Sequence, residues 1–175
     1  MKILIYLILI TNMGTKLIFD FTTQSDIKNW NVIDDIVMGG KSSGSFKLTT
    51  DGYGVFKGNV SLKNNGGFSS VKYKFPRILI ENKSKISFKV KGDGKDYQFR
   101  IKENSADRHS YISLFSTTGD WQEIEIPLNN FYPSFRGKKL DIPNFSEQHI
   151  EEISFLISNK NEENFELLIE KIELK

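Results

Sequence analysis

Two short stretches carry residue types in an order that neither a helix nor a strand requires. The first is "DDIVMGGKSSG", residues 34–44, and the second is "NNGGFSS", residues 64–70. In the first, Asp34 and Asp35 offer carboxylate acceptors to backbone amides in a turn. Met38 is a flexible, polarisable contact residue. Gly39 and Gly40 permit positive φ and let another chain approach the backbone closely. Ser42, Ser43 and Gly44 add small polar groups. The second stretch repeats this chemistry with Asn65, Gly66, Gly67 and Phe68, followed by two serines. The chemistry such segments suit is recognition. The plainer alternative is a structured turn with Met38 folded against the edge of the core. On the recognition reading, Asp35 holds its loop in shape, and Gly40→Val is expected to weaken partner binding with little loss of fold.

Catalytic arrangements find little support. The two histidines, His109 and His149, each stand without a second ligand at i+2 or i+4, so no metal cluster is visible. No nucleophile elbow, phosphate loop or dinucleotide fingerprint is present. A glycosidase needs two carboxylates facing each other across a cleft. Asp34 and Asp35 are neighbours, and their side chains diverge on an extended backbone. Either could contribute a hard oxygen to a structural Ca²⁺, but the spacing is not that of an EF-hand. The expectation is a protein with no catalytic residues, no metal site and no cofactor.

Composition narrows the rest. The chain has 175 residues, no Cys, and 24 basic against 22 acidic residues. Disulfides and thiolate metal sites are therefore absent. The charges are interspersed with no polybasic tract, so neither nucleic acid nor an anionic membrane is indicated as partner. Residues 1–14 open with "MKILIYLILI", whose apolar run is too short to span a membrane as a helix. It is either the core of a secretory signal, giving an exported protein, or a start-site artefact with Met13 as the true start, giving a cytoplasmic one. Residues 15–175 read as one domain.

From Lys16 onward the dominant period is two. "KISFKVK" (Lys85–Lys91) places Ile86, Phe88 and Val90 on one face, and "YQFRIK" places Tyr97, Phe99 and Ile101 on one face. With the Asp-Gly turn signal at residues 92–94 between them, the two read as a hairpin. "SFKLTTDGYGVFKGNVSL" reads as a second hairpin around Asp51-Gly52, and "YISLF" with "WQEIEIPL" as a third. "EISFLIS" reads as a strand covered on both faces. The closing "FELLIEKIEL" slips phase at Glu170-Lys171, which suggests a bulge. "QSDIKN" and "SEQHIEE" could each give a turn of helix capped by Ser. About nine or ten strands are expected, in an all-β antiparallel sandwich of jelly-roll type.

Strand phase also separates the faces. With Val71, Tyr73 and Phe75 in the core, Phe68 is outside it. Arg100 lies opposite Phe99 and Ile101. Tyr111 and Phe115 lie opposite Ile112 and Leu114, and are read as outer-face aromatics that, with Trp121, could form a flat platform for sugar. "NNFYPSFRG", the segment from Asn130 that contains Arg136, could instead cover them.

The blocks "WNVIDDIVMGGKSSGSF", "VFKGNVSLKNNGGFSSV", "GDGKDYQFRI", "WQEIEIPLNNFYPSFRG" and "FELLIEKIEL" resemble the complex I intermediate-associated protein 30 family. The resemblance runs from Phe19 to Leu174, with the blocks in the family's order. It implies a galactose-binding-domain-like jelly roll, related in shape to carbohydrate-binding modules, in a non-catalytic assembly chaperone of NADH:ubiquinone oxidoreductase. It implies a protein partner, respiratory-complex subunits, met through Asp35, Met38, Gly39, Gly40, Ser42, Asn65, Gly66, Gly67 and Phe68, with Arg100 and Arg136 as forked donors to carbonyls or carboxylates. The alternative ligand is carbohydrate on the outer-face aromatics.

Overall fold

Half-buried strands need a second apolar face to cover them, and here two antiparallel sheets cover each other. The computed structural model describes residues 14–175; residues 1–13 of the segment read as a signal or a start-site artefact lie outside the described residues. In chain order the strands are β1 Lys16–Asp20, β2 Trp30–Asp34, β3 Ser43–Leu48, β4 Gly54–Val60, β5 Ser69–Leu79, β6 Lys85–Lys91, β7 Asp96–Lys102, β8 Ser110–Ser116, β9 Trp121–Pro127, β10 Tyr132–Phe135, β11 Lys138–Lys139, β12 His149–Ile157 and β13 Glu163–Leu174. A six-stranded sheet runs β3-β4-β13-β6-β9, with β1 beside the far end of β13. A seven-stranded sheet runs β11-β10-β8-β7-β12-β5-β2.

The core lies between them and is built from large rings. Phe88 of β6 reaches from the first sheet into three rings of the second: Phe99 at 4.6 Å between centroids, Phe115 at 5.0 Å and Phe155 at 5.5 Å. Near one edge, the Trp30 indole stacks between Phe46 at 5.0 Å and Tyr73 at 4.9 Å, again joining both sheets. Such ring pairs add to the area they bury.

The β3–β4 hairpin forms as the sequence indicates, with Phe46 opposite Phe56. β13 carries its register shift between Ile169 and Lys171, at the phase slip. β12 is buried on both faces along most of its length. The other two expected hairpins do not form. β6 pairs with β9 and β13 in one sheet, while β7 pairs with β8 and β12 in the other. The Gly92–Asp93–Gly94 turn is therefore a crossover between sheets, and so is the β8–β9 connection. Thr117 ties the two crossovers together: its Oγ1 accepts from the amides of Gly94 and Lys95, both at 3.1 Å, and donates to the Lys95 carbonyl at 2.9 Å. Alternation shows that one face of a strand is buried; it does not name the sheet that buries it.

"NNFYPSFRG" is not a cover either. Phe131 is in the core, and β10 pairs with β8 as an outer strand of the seven-stranded sheet. The two expected helical turns are irregular in "QSDIKN" and extended in "SEQHIEE", where β12 begins. Short 3₁₀ turns occur instead at Asp35–Met38 and Leu128–Asn130, while Lys63–Asn65 is a tight turn in which Asn64 and Asn65 hold positive φ, 56° and 58°.

Because Phe88 is the ring that locks the sheets together, Phe88→Ala is expected to cost about 3–5 kcal/mol. Urea unfolding would show this as a lowered midpoint with an unchanged far-ultraviolet spectrum at zero urea.

Candidate functional site

β2 ends at Asp34, and the next residue turns the chain into the 3₁₀ segment Asp35–Met38. Asp35 is fully buried. A buried carboxylate is tolerable only when its oxygens are met by donors. Its Oδ1 accepts the Ser42 amide at 2.9 Å. Its Oδ2 accepts the Ser42 hydroxyl, the Gly67 amide at 2.6 Å and the Phe68 amide at 3.2 Å. The backbone adds Gly40 N to Asp35 O at 3.0 Å. Burial alone would raise the Asp35 pKa. The bonds from the Ser42 hydroxyl and from the Gly67, Ser42 and Phe68 amides outweigh that and hold it below the ordinary 3.8.

The clasp explains two of the glycines. A Cβ on Gly40 would sit 2.1 Å from Asp35 Oδ1, and one on Gly66 would sit 2.5 Å from Asp35 Oδ2. Only a bare α-carbon lets each loop close on the carboxylate. The expectation that Gly40→Val would spare the fold is therefore corrected: the added side chain displaces the acid that holds both loops.

Asp34 performs a parallel task. Its Oδ2 accepts the Gly44 amide at 2.9 Å and its Oδ1 accepts the Ser69 hydroxyl at 2.6 Å, joining β3 of one sheet to β5 of the other. Both aspartates thus face hydrogen-bond donors, the opposite of what a Ca²⁺ site presents. Among the described residues no group of three or more His, Cys, Asp or Glu side chains is arranged to hold a metal.

The two loops meet at one rim of the sandwich. Asn64 Nδ2 donates to the Gly39 carbonyl at 3.1 Å, so they also touch directly. Asp35, Met38, Gly39, Gly40, Ser42, Gly66, Gly67 and Phe68 come together here with Asn65 beside them. They display an apolar group, with Ile36, Val37 and Met38 61%, 72% and 60% exposed and Leu62 42% exposed, beside the exposed Lys41, Lys63, Asn64 and Asn65. Phe68 is half-buried. Met38 is accordingly not folded against the core. Ile36, Val37 and Leu62 escape a reading of the sequence, which takes Met38 and Phe68 as the apolar contacts of the two loops. The signal that could have found the first two is their place with Met38 in an apolar triplet between the acid pair and the Gly pair.

The remaining residues lie elsewhere. Arg100 is on the outer face of the seven-stranded sheet, three strands from β2. Arg136 is in the β10–β11 turn over the Phe135 ring, at the opposite edge of that sheet from β2. Neither belongs to the rim. Tyr111 and Phe115 are 8% and 6% exposed and point into the core, so they form no platform for sugar. The inner and outer assignments of β8 are the reverse of that expectation, because Leu114 is the exposed residue at 61%. Trp121 is half-buried against Tyr53, 4.8 Å between centroids, on the other sheet.

Asp35→Asn would put an amide group among backbone donors and is expected to cost about 2–4 kcal/mol. The native carboxyl has a depressed pKa, so its contribution is present above the unfolded pKa and is lost as the pH falls through the folded one. Urea titrations should show a gap in stability between the native protein and the Asp35→Asn variant that is constant above about pH 5 and narrows below about pH 4.

Comparisons with known proteins fit this fold. Several solved carbohydrate-binding structures share it. A family 11 carbohydrate-binding module from Clostridium thermocellum, in complex with a beta-1,3-1,4-mixed-linked tetrasaccharide, superposes with a TM-score of 0.70 at 21% identity, covering 92% of this chain and 95% of that one. An agarase, AgWH50C, matches at 14% identity with a TM-score of 0.59, over 93% of this chain and 24% of its own length. At these identities the likeness is one of fold alone. Among curated proteins, complex I intermediate-associated protein 30, mitochondrial, of Mus musculus is 24% identical over 90% of this chain and 55% of its own length. The Drosophila melanogaster protein of the same name is 25% identical over 73% of this chain and 50% of its own length. The chain thus spans about half the length of these relatives. A sequence profile covers residues 19–169, both rim loops included, and on that match this chain belongs to the complex I intermediate-associated protein 30 family.

Proposed function

We propose that this protein is a non-enzymatic binding module that takes part in assembling a respiratory protein complex, and that it docks its partner through the clasped rim. The family and the names of its curated members support an assembly role with protein partners. The observation that carries the docking surface is the exposed ridge of Ile36, Val37 and Met38, with Leu62 beside it, standing on a buried, fully hydrogen-bonded aspartate. Apolar side chains exposed in succession on a held backbone are costly to leave in water, and they bind without a further loss of loop entropy. The partner is a protein with a shallow apolar depression, and complex I subunits are the class the family name supplies.

Carbohydrate remains the second reading because the fold is shared with sugar-binding modules. It draws no support from Tyr111 or Phe115, which are in the core. Among the described residues no helix is long and apolar enough to cross a membrane.

Affinity purification of the full chain from the cell that makes it, with mass spectrometry of what accompanies it, tests the proposal. Complex I subunits should be enriched by the native protein and reduced about tenfold with a Val37→Ser, Met38→Ser double variant, whose melting temperature should stay within a few degrees of native because both side chains are exposed. Absence of such subunits, with retention on mixed-linked β-glucan instead, would reverse the two readings.

A further inference from the structure

The outer face of the seven-stranded sheet carries cations whose counter-charges are missing. Phe99 and Ile101 are fully buried in the core, so Arg100 between them points outward. Strand register sets its neighbours. Arg100 lies opposite Ser154 of β12, which lies opposite Lys72 of β5. On its other side, Arg100 lies opposite Ile112 of β8. Adjacent strands are about 4.8 Å apart, so the α-carbons of Arg100 and Lys72 are separated by about 10 Å. The residue between them, Ser154, has the shortest side chain of the three. Ser154 is 7% exposed and Arg100 and Lys72 are half-buried, so the row makes a shallow cationic trough, a guanidinium on one side and an ammonium on the other, over a largely covered hydroxyl.

Neither wall has a carboxylate partner among the described residues. Arg100 is met by a neutral acceptor, Gln98 Oε1, at 3.0 Å from Nε and 2.6 Å from Nη2. The acids nearby face other cations: Glu152 stands 3.8 Å from Lys74 and 4.0 Å from Lys102, beyond hydrogen-bond reach of either, and Glu151 pairs with Arg77 at 2.8 Å. Burial pulls the Arg100 pKa down to about 10, so the group stays protonated near neutrality while poorly solvated. Guanidinium groups this desolvated are ordinarily found on carboxylates, whose geometry their fork matches. Leu114 adds an exposed apolar side chain in the neighbouring row, opposite Gln98.

We propose that this face holds an acidic segment of a protein partner, with a side-chain carboxylate seated over Ser154 between Arg100 and Lys72 and an apolar side chain on Leu114. Charge complementarity selects the occupant. Lys72, Lys74, Arg100 and Lys102 stand against the single acid Glu152 in these rows, and a neutral sugar would leave the excess uncompensated. The inference rests on the reading of the protein as a protein-binding module, but not on the rim as the surface that binds.

The test is a nuclear magnetic resonance titration of the ¹⁵N-labelled full chain with a short acetylated peptide of alternating aspartate and leucine. The Arg100 Nε–H and Ser154 amide signals should move. Affinity should fall about tenfold in Arg100→Gln, in Lys72→Gln, and for the same peptide with asparagine replacing aspartate. Arg100→Lys, which keeps charge but loses the fork, should fall between. Melting curves report whether each variant folds, and Lys72→Gln decides the matter if Arg100→Gln does not. The proposal is overturned if the acidic peptide does not bind, if it binds the native protein and a folded Lys72→Gln equally, or if a mixed-linked tetrasaccharide moves these signals and the peptide does not. Peptide binding that survives in the Val37→Ser, Met38→Ser protein while that variant keeps its full partner capture would remove the rim and leave the trough.

Discussion

A single buried carboxylate, that of Asp35, holds the candidate rim together. Its two oxygens are satisfied by donors from Ser42, at the entrance to β3 of one sheet, and from Gly67 and Phe68, at the entrance to β5 of the other. A buried charge left unsatisfied would cost several kcal/mol, so each of these loops constrains the other. Asp34 repeats the tie one residue earlier through Gly44 and Ser69. The glycines at 40 and 66 follow from the same demand, because any side chain there would occupy the space of the carboxylate. The exposed ridge beyond is therefore displayed by a scaffold that has already lost its conformational freedom.

The proposed rim and the proposed trough rest on different physics. At the rim an apolar ridge is displayed beside the exposed Lys41 and Lys63, and the Asp35 charge is hidden. On the outer face of the seven-stranded sheet the charge is displayed, with Arg100 and Lys72 flanking a serine. An apolar ridge chiefly lowers the rate of leaving, whereas a cationic trough speeds the encounter and fixes register, at a cost in high salt. The two surfaces are separated along the molecule, since Arg100 stands three strands away from β2.

The architecture itself leaves the ligand open. Carbohydrate-binding modules share this sandwich at 21% identity or less, and a shared fold hosts unrelated sites. Here Tyr111 and Phe115, two of the rings that could have faced a sugar, are taken up by the core, and Trp121 is half-buried on the other sheet. Phe88 meets Phe99, Phe115 and Phe155 across the two sheets. The Trp30 indole is likewise inside, between Phe46 and Tyr73.

Most strands, the bulge in β13, the double-sided burial of β12 and the two glycine loops were legible in the residue order, because alternation, phase slips and turn residues are local signals. Asp35 could be read as a loop-shaping acid from its place near the Gly pair. Other features needed the folded chain. That β6 and β7 belong to different sheets is one, since the Asp-Gly signal that favours a hairpin marks a turn and does not name the sheet the next strand joins. That Tyr111 and Phe115 face inward and Leu114 outward is another. Alternation distinguishes two faces, but which one meets the core depends on where the partner sheet lies, and in a β-strand carrying apolar residues on both faces that is a long-range choice. The meeting of residues 35–42 with residues 65–68 is of the same kind: a carboxylate announces its need for donors, and only the folded chain supplies them.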